Sequence, residues 1–309
     1  MSATKQPQIA IVGSINMDLV VRVERLPRAG ETIHGNQLLQ IPGGKGANQA
    51  VAVAQLGGRA RMIGRVGDDG FGPTLVSALE SHQVDTAFVT TTTGCSSGVA
   101  VISVEQSGEN SITIIGGANQ RLTGEDVTDC EQAIAGADVL LVQLETPVDT
   151  VARAIELARD HGVTTILDPA PAPTKPLPDM LQQVDVFSPN QTEAEVLTGV
   201  SVQTPQNAEQ AAAILHAGGA RHVVMKLGEM GALVYQGPGN VELIPTRQVS
   251  VVDTTAAGDA FTAGLAIGYA LGWPPADATR FGCAAGTLAT TKLGAQQSMP
   301  TRQEVDRFM

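Results

Sequence analysis

An aspartate placed just behind three small residues is the most chemically suggestive arrangement in this chain. In DTTAAGDAF (Asp253–Phe261) a strand is expected over Val249–Val252, and the next helix begins at Ala-Ala-Gly. The backbone N–H groups of Ala256, Ala257 and Gly258 would then point unpaired from a helix N-terminus, where an anion can bind. Side chains this small let a phosphate touch the backbone. Asp259 falls in the first helical turn. A carboxylate base beside an anion hole is what phosphoryl transfer to a hydroxyl requires. The plainer alternative is an acidic residue that favours the helix dipole.

Three further strings sit at element ends. In GGKGAN (Gly43–Asn48) two glycines permit close backbone approach, Lys45 supplies a cation and Asn48 lies in the first turn of a helix. The string is not the phosphate loop GxxxxGK[ST], because Gly46 follows Lys45 and Leu39 occupies the first glycine position. A helix-capping turn would also account for it. In SPNQTEAE (Ser188–Glu195), Asn190 and Glu193 stand three apart across a helix start. Glu193 could act through water on a hydrated magnesium ion, or Asn190 could simply cap the helix. KLGEMG (Lys226–Gly231) reads alone as a glycine turn after a strand.

The elements that must position these residues alternate along the chain. Gln8–Gly13 reads as a buried strand, and the stretch 18–40 as half-buried strands broken by turns. A helix is expected over Ala47–Leu56. Ser97–Glu105 and Asn110–Ile115 read as an antiparallel pair joined by a glycine turn, QSGE. Strand-like runs at Val139–Leu144, Val163–Asp168, Val184–Ser188 and His222–Gly228 then alternate with helical segments at Val148–Asp160, Thr192–Leu197 and Ala208–Ala217. Helices are expected at Gly258–Leu271 and Ala276–Thr291, each ended by glycine. Such alternation predicts a parallel sheet covered on both faces by helices. A small β subdomain, drawn from about residues 17–42 and 94–118, is expected to form a lid over a site at the C-terminal edge of that sheet.

Composition narrows the function classes. With 19 Lys+Arg against 31 Asp+Glu, the chain carries a net charge of −12, and its aromatic content is 3%. A field of that sign repels polyanions and few rings are available for base stacking, so nucleic-acid binding is disfavoured. Cys95, Cys130 and Cys283 are odd in number and widely spaced, which suits neither a disulfide framework nor a zinc site. The five histidines do not fall at metal-ligand spacing. No apolar run approaches membrane-spanning length, and MSATKQPQIAIVG lacks the basic stretch and apolar core of a leader, so a cytoplasmic protein is expected. The first strand opens into GSINMD instead of GxGxxG, which removes most support for a dinucleotide-dependent dehydrogenase.

Taken together and in this order, GSINMD, GGKGANQAVA, QLETP, NQTE, LGEMG and DTTAAGDAF resemble the ribokinase family of carbohydrate kinases, over about residues 8–300. The resemblance implies a single domain over 1–309: a three-layer αβα fold with a mostly parallel central sheet and a small β-sheet lid that also forms a homodimer contact. It implies ATP-dependent phosphorylation of the 5-hydroxyl of D-ribose, with Asp259 as general base and Ala256, Ala257 and Gly258 as anion hole. Asn16, Asp18, Gly44, Lys45, Asn48 and Glu145 would hold the sugar. Asn190, Lys226, Leu227, Gly228, Glu229, Met230, Gly231, Gly258 and Cys283 would line the nucleotide, with Glu193 reaching Mg2+ through water. A K+ site would map to Asp253, Thr255, Ala289, Lys292, Gly294 and Ser298, mostly through backbone carbonyls.

Two positions depart from the family pattern. Gln191 stands where a Glu often follows the Asn, and Lys226 replaces a commoner Thr; Lys226 would either add a cation at the ATP phosphates or point to solvent. A sibling activity on 2-deoxyribose or another sugar, or on a nucleoside, is the main alternative, and a sugar-binding regulator the non-enzymatic one. A nucleoside favours aromatic packing, yet the lid stretches contain no Phe, Tyr or Trp. A sugar phosphate needs extra cations, and the lid offers only Arg22, Arg25 and Arg28 around one turn.

Overall fold

In the computed structural model, which describes residues 6–105 and 110–309, short apolar runs with no polar interruption become central strands. β1 (Gln8–Val12) leads into the lid strands β2 (Asn16–Val23) and β3 (Gly35–Gly43), then α1 (Lys45–Gln55), β4 (Arg59–Gly67), α2 (Phe71–Ser81) and β5 (Asp85–Thr92). The lid resumes with β6 (Gly98–Val104) and β7 (Asn110–Ile115). QSGE, expected as the turn between these two, lies outside the described residues, as do the first five residues. There follow α3 (Gly124–Asp129), α4 (Glu131–Ala135), β8 (Val139–Val142), α5 (Val148–Asp160), β9 (Thr164–Leu167), α6 (Asp179–Gln182) and β10 (Val186–Phe187). α7 (Gln191–Thr198), α8 (Pro205–Ala217), β11 (His222–Lys226), β12 (Ala232–Tyr235), β13 (Val241–Ile244), α9 (Ala257–Ala270), α10 (Pro275–Ala289) and α11 (Arg302–Phe308) complete the chain.

Nine strands form the central sheet in the order β13-β12-β11-β10-β9-β8-β1-β4-β5. All its pairs are parallel except those that β12 makes with β11 and β13. The second sheet, β3-β2-β6-β7, is the expected lid; its two halves join through the parallel pairing of β2 with β6. The order of the large sheet reverses between β1 and β8. Successive strands step outward on either side of that point, and crevices at such reversals open beyond the strand C-termini.

One apolar core lies between the sheet and α1, α2, α9 and α10, a second between the sheet and the helices of the 124–217 region. α9 and α10 pack closely because small residues meet: a Cβ built on Gly268 would stand 2.5 Å from that of Ala278, and one on Gly264 3.0 Å from the Cα of Gly282.

The structure corrects two expectations and adds one strand. Residues 249–252 form no strand; the N–H groups of Val252 and Asp253 both donate to the Thr290 carbonyl at the end of α10, and Val251 and Val252 remain exposed. α10 ends at Ala289, with Thr290 and not a glycine after it; the next glycine along the chain is Gly294. β4, which the apolar pattern does not mark, is an interior strand, paired on both sides by β1 and β5, although it carries three arginines. Arg61 reaches the carbonyls of Ala133 and Gly136, and Arg65 pairs with Asp126, so their charged heads leave the sheet while their stems cover it.

Gly268→Ala is expected to destabilise the fold by about 1–3 kcal/mol through overpacking of α9 on α10. Denaturant unfolding checks this, with Gly70→Ala, where a Cβ meets open space, as the near-neutral control.

Candidate active site

Five parallel strands end on the same crevice. Ser14 and Asn16 follow β1, Gln143 and Glu145 follow β8, Asp168 follows β9, Asn190 follows β10, and Lys226 closes β11. The N-termini of α1 and α9 meet over it, because Asn48 and Gln49 of α1 both bond Asp259 of α9.

Asp259 is 5% exposed. Asn48 Nδ2 donates to its Oδ2 at 3.0 Å and Gln49 Nε2 to its Oδ1 at 3.2 Å. Burial pushes its carboxyl up to about 6, with Asp168 adding to the shift and Lys45, Asn48 and Gln49 opposing it. Burial works against the charge of Lys45, but Asp259, Asp168, Glu145 and Glu193 together raise its pKa above the ordinary lysine value. A half-buried lysine thus faces the buried Asp259 carboxylate.

The turn ahead of Asp259 departs in part from expectation. Ala256 sits in left-handed backbone at φ +58°, a conformation that costs a non-glycine residue about 1–3 kcal/mol and persists where the surroundings impose it. The N–H of Ala257 is not free: it donates to the Thr254 carbonyl at 3.2 Å. Among the described residues, the N–H groups of Ala256 and Gly258 have no backbone partner. A Cβ built on Gly258 meets nothing within 4 Å, so the space beside this turn is open.

Asn16 is buried, and its Oδ1 accepts from Asn119 Nδ2 at 2.6 Å, while Asn119 Oδ1 accepts from the N–H of Ile15 at 2.9 Å. Glu145 Oε2 accepts from Ser14 Oγ at 2.5 Å and from the N–H of Lys45 at 3.2 Å. Asp18 lies across Gly43, where any Cβ would come within 2.3 Å of its Oδ2, and Gly44 takes φ +89° with Asn16 N only 2.7 Å from its Cβ position. Position 44 therefore has room for glycine alone, and a Cβ at position 43 would displace the Asp18 carboxylate. Burial, then Glu145 and Asp259, push the Asp18 carboxyl up to about 7. Asn48 Oδ1 is a buried acceptor with no partner among the described residues, on the same amide whose nitrogen bonds Asp259. An acceptor of that kind suits a ligand hydroxyl.

Across the crevice, Asn190 and Glu193 form a complete capping box at the start of α7. Burial raises the Glu193 carboxyl, and Lys226 opposes that rise. Gln191 turns away, donating to the Val202 carbonyl at 2.9 Å. Lys226 follows neither expectation: its ammonium lies 2.8 Å from Asp168 Oδ1, and its side chain is 13% exposed. The loop over Leu227, Gly228, Glu229, Met230 and Gly231 is a single tight turn with positive φ at both glycines. Cys283 is packed in the core of α10, where burial pushes its thiol up to about 12.

The six positions expected around a monovalent cation are brought together only in part. Asp253 Oδ1 accepts from Thr255 N and Oγ1, and its Oδ2 from the N–H of Gly294. The N–H of Lys292 donates to Ala289 O at 3.3 Å while its ammonium binds Glu304. Ser298 bonds within its own turn to Ala295.

Sequence reading misses Ser14, Gln49, Asn119, Gln143, Asp168 and Thr262. Gln49 directly follows Asn48 and shares its helix end, which was a usable signal. Asn119 belongs to no motif and reaches the site only because the lid returns beside β1.

The pfkB carbohydrate kinase family model matches residues 6–302. The chain belongs to the pfkB family of carbohydrate kinases. It is 40% identical over 301 residues to the ribokinase of Haemophilus influenzae, covering 97% of this chain and 98% of that protein. It is 35% identical over 301 residues to a deoxyribokinase of Salmonella typhi, again covering 97% and 98%. The solved Arabidopsis thaliana ribokinase in complex with ribose and ATP superposes with a TM-score of 0.92 at 34% identity, covering 98% of this chain and 99% of that one. Among the described residues of this carbohydrate kinase, no helix is long and apolar enough to cross a membrane, and no cluster of three or more His, Cys, Asp or Glu side chains is placed to hold a metal.

For this kinase the buried carboxylates give stability a definite pH slope. The folded pKa of Asp18, about 7, lies above its ordinary value of 3.8, so between those limits the native state binds the extra proton. Stability must then fall as pH rises from about 4 to about 7. Asp259 acts in the same sense up to about 6. Asp18→Asn is expected to flatten the fall, leaving the slope due to Asp259, and to raise the melting temperature at pH 8 more than at pH 4. Thermal unfolding of both proteins across that range is the check.

Proposed function

We propose that this kinase transfers the γ-phosphoryl group of ATP to the 5-hydroxyl of D-ribose, with Asp259 as general base. The observation that carries the reading is the pairing of Asp259, buried and clasped by Asn48 and Gln49, with the open N–H groups of Gly258 and Ala256, one and three residues earlier. Asp259 accepts the proton of the attacking hydroxyl, and the turn receives the transferring phosphate. Lys45, held cationic by the carboxylates around it, offsets the charge that gathers there. The ribose complex of the Arabidopsis relative supports the choice of sugar.

Asn16, Asp18, Glu145 and Asn48 supply acceptors and amide donors to a ligand that offers only hydroxyls, and Gly44 and Lys45 close the wall behind them. Asn190 and the 226–231 loop line the nucleotide side, with Cys283 packed behind as an apolar wall. Glu193 is a buried carboxylate without a direct metal cage around it, which suits an outer-shell role toward Mg2+; bound there with ATP, Mg2+ would neutralise phosphate charge. The tie from Asp253 to Thr255 and Gly294 suits a K+ site of backbone carbonyls that also includes Ala289, Lys292 and Ser298, next to the anion-hole turn. Leu38, Ile112 and Ile114 are exposed on the lid, an apolar surface that supports a homodimer contact there. Three free cysteines accord with a reducing cytoplasm.

Asp259→Asn should lower turnover by about 10²–10⁴-fold while ribose still binds. Coupled ADP-release kinetics and calorimetric ribose titration measure the two effects, and near-normal turnover in the variant would exclude Asp259 as the base.

The deoxyribokinase relative favours 2-deoxyribose as a second substrate. If Asp18 bonds the 2-hydroxyl, loss of that group should reduce kcat/KM by roughly 10–100-fold, the effect of one charged hydrogen bond. Asp18→Ala should then impair ribose more than deoxyribose. Equal losses for both sugars would show that Asp18 does not read the 2-hydroxyl.

A further inference from the structure

Gln49 is fully buried on α1, one residue beyond the asparagine that clasps the base. One amide nitrogen serves two carboxylates: Nε2 donates to Asp259 Oδ1 at 3.2 Å and to Asp168 Oδ2 at 3.0 Å. Its Oε1 accepts from Gln143 Nε2 at 2.7 Å. Both amide hydrogens and the carbonyl are therefore engaged. The reverse orientation would turn the oxygen toward two carboxylates and set one NH2 group against another, so the surroundings admit only one.

Gln143 is itself held by shape. Its Oε1 lies 2.1 Å from where a Cβ on Gly13 would stand, so the glycine that follows β1 makes room for the amide that orients Gln49. On the far side, Asp168 is anchored by Lys226 Nζ at 2.8 Å and by Thr262 Oγ1 at 3.3 Å. A line of hydrogen bonds thus runs from Gln143 through Gln49 to the base, and branches to the Asp168–Lys226 ion pair.

We propose that Gln49 is a positioning residue for phosphoryl transfer: its amide, oriented by Gln143, ties the base to the Asp168–Lys226 pair and keeps the Asp259 carboxylate both aimed and ionised. The proposal rests on the assignment of Asp259 as the base. The charged groups facing Asp259 are Lys45 from α1, Asp168 from the end of β9 and Asp18 from β2. Lys45 alone favours the ionised base. With the amide removed, two buried carboxylates would confront each other without a donor between them, which drives a proton onto one of the pair.

The test is the pH dependence of kcat, with KM for ribose, in the full-length enzyme and in Gln49→Met, Gln143→Met, the double variant Gln49→Met with Asp168→Asn, and Asp259→Asn. Gln49→Met should lower kcat about 10-fold, as expected for one hydrogen bond to a charged group, and leave KM within about 2-fold. Activity rises with pH as the base ionises, so the acid limb of the profile should move up by about one pH unit. Adding Asp168→Asn removes the competing charge and should bring that limb back toward the parent position, an effect that loosened packing would not produce. Gln143→Met should shift the limb in the same direction by less. An unmoved limb in Gln49→Met, or a raised KM with kcat intact, overturns the proposal. If Gln49→Met does not fold, an unmoved limb in Gln143→Met overturns it equally. Failure of the base assignment looks different: Asp259→Asn would then retain turnover whatever the Gln49 variants do.

Discussion

Gathering Asp18, half-buried, with the buried Asp168, Glu193 and Asp259 in one crevice is the constraint to which the rest of this structure answers. Four such groups without partners would either take up protons or prevent the chain from closing. Two lysines and a set of amides make the cluster tenable. Lys45 enters from the start of α1 and Lys226 from the end of β11, so the cations approach from opposite sides. Asn48, Gln49 and Asn190 distribute donors among the carboxylates between them. The balance remains incomplete, because Asp18 and Asp259 keep raised pKa values. A site left in that condition holds binding capacity for hydroxyl donors, the chemistry of a sugar.

The fold brings these groups together through sheet order and glycine. The reversal between β1 and β8 places the end of the first strand beside the end of the eighth, so Ser14 meets Glu145 across 131 residues of chain. Gly43 and Gly44 let the lid strand run against Asp18 and Asn16 without an intervening side chain. Close packing of α9 on α10 then brings Asp259 to the mouth of α1.

Much of this was legible in the residues. Alternating apolar runs mark the parallel sheet, and Val148–Asp160 is a helix over the span its pattern predicts. Strings of small and polar residues at element ends mark Asp259, Lys45, Asn48, Asn190 and Glu193. What was hidden falls into two kinds. Some elements are disguised by their chemistry, as in β4, where arginine stems lie on an interior strand. Some partners depend on long-range geometry alone. Nothing local to Asp168 or Gln143 announces that they will meet Gln49, and Lys226 pairs with Asp168 because β9 and β11 flank β10. The expected strand at 249–252 fails for a related reason: its N–H groups find the end of a helix before they find a neighbouring strand.

The distance in sequence between Asn48 and Asp259, 211 residues, carries a consequence for how the chain comes into being. During synthesis the lid and the first half of the sheet emerge long before α9. Until then the apolar face of α1, including Ala47, Ala50, Val51 and Val53, has no helix to cover it. A ribosome-bound or truncated chain lacking residues 257–309 would present that face to solvent and to other chains, at the stage when aggregation and chaperone capture compete with folding. The residues that complete the core also bring Asp259 to Asn48, so the crevice cannot be assembled before the apolar face of α1 is covered.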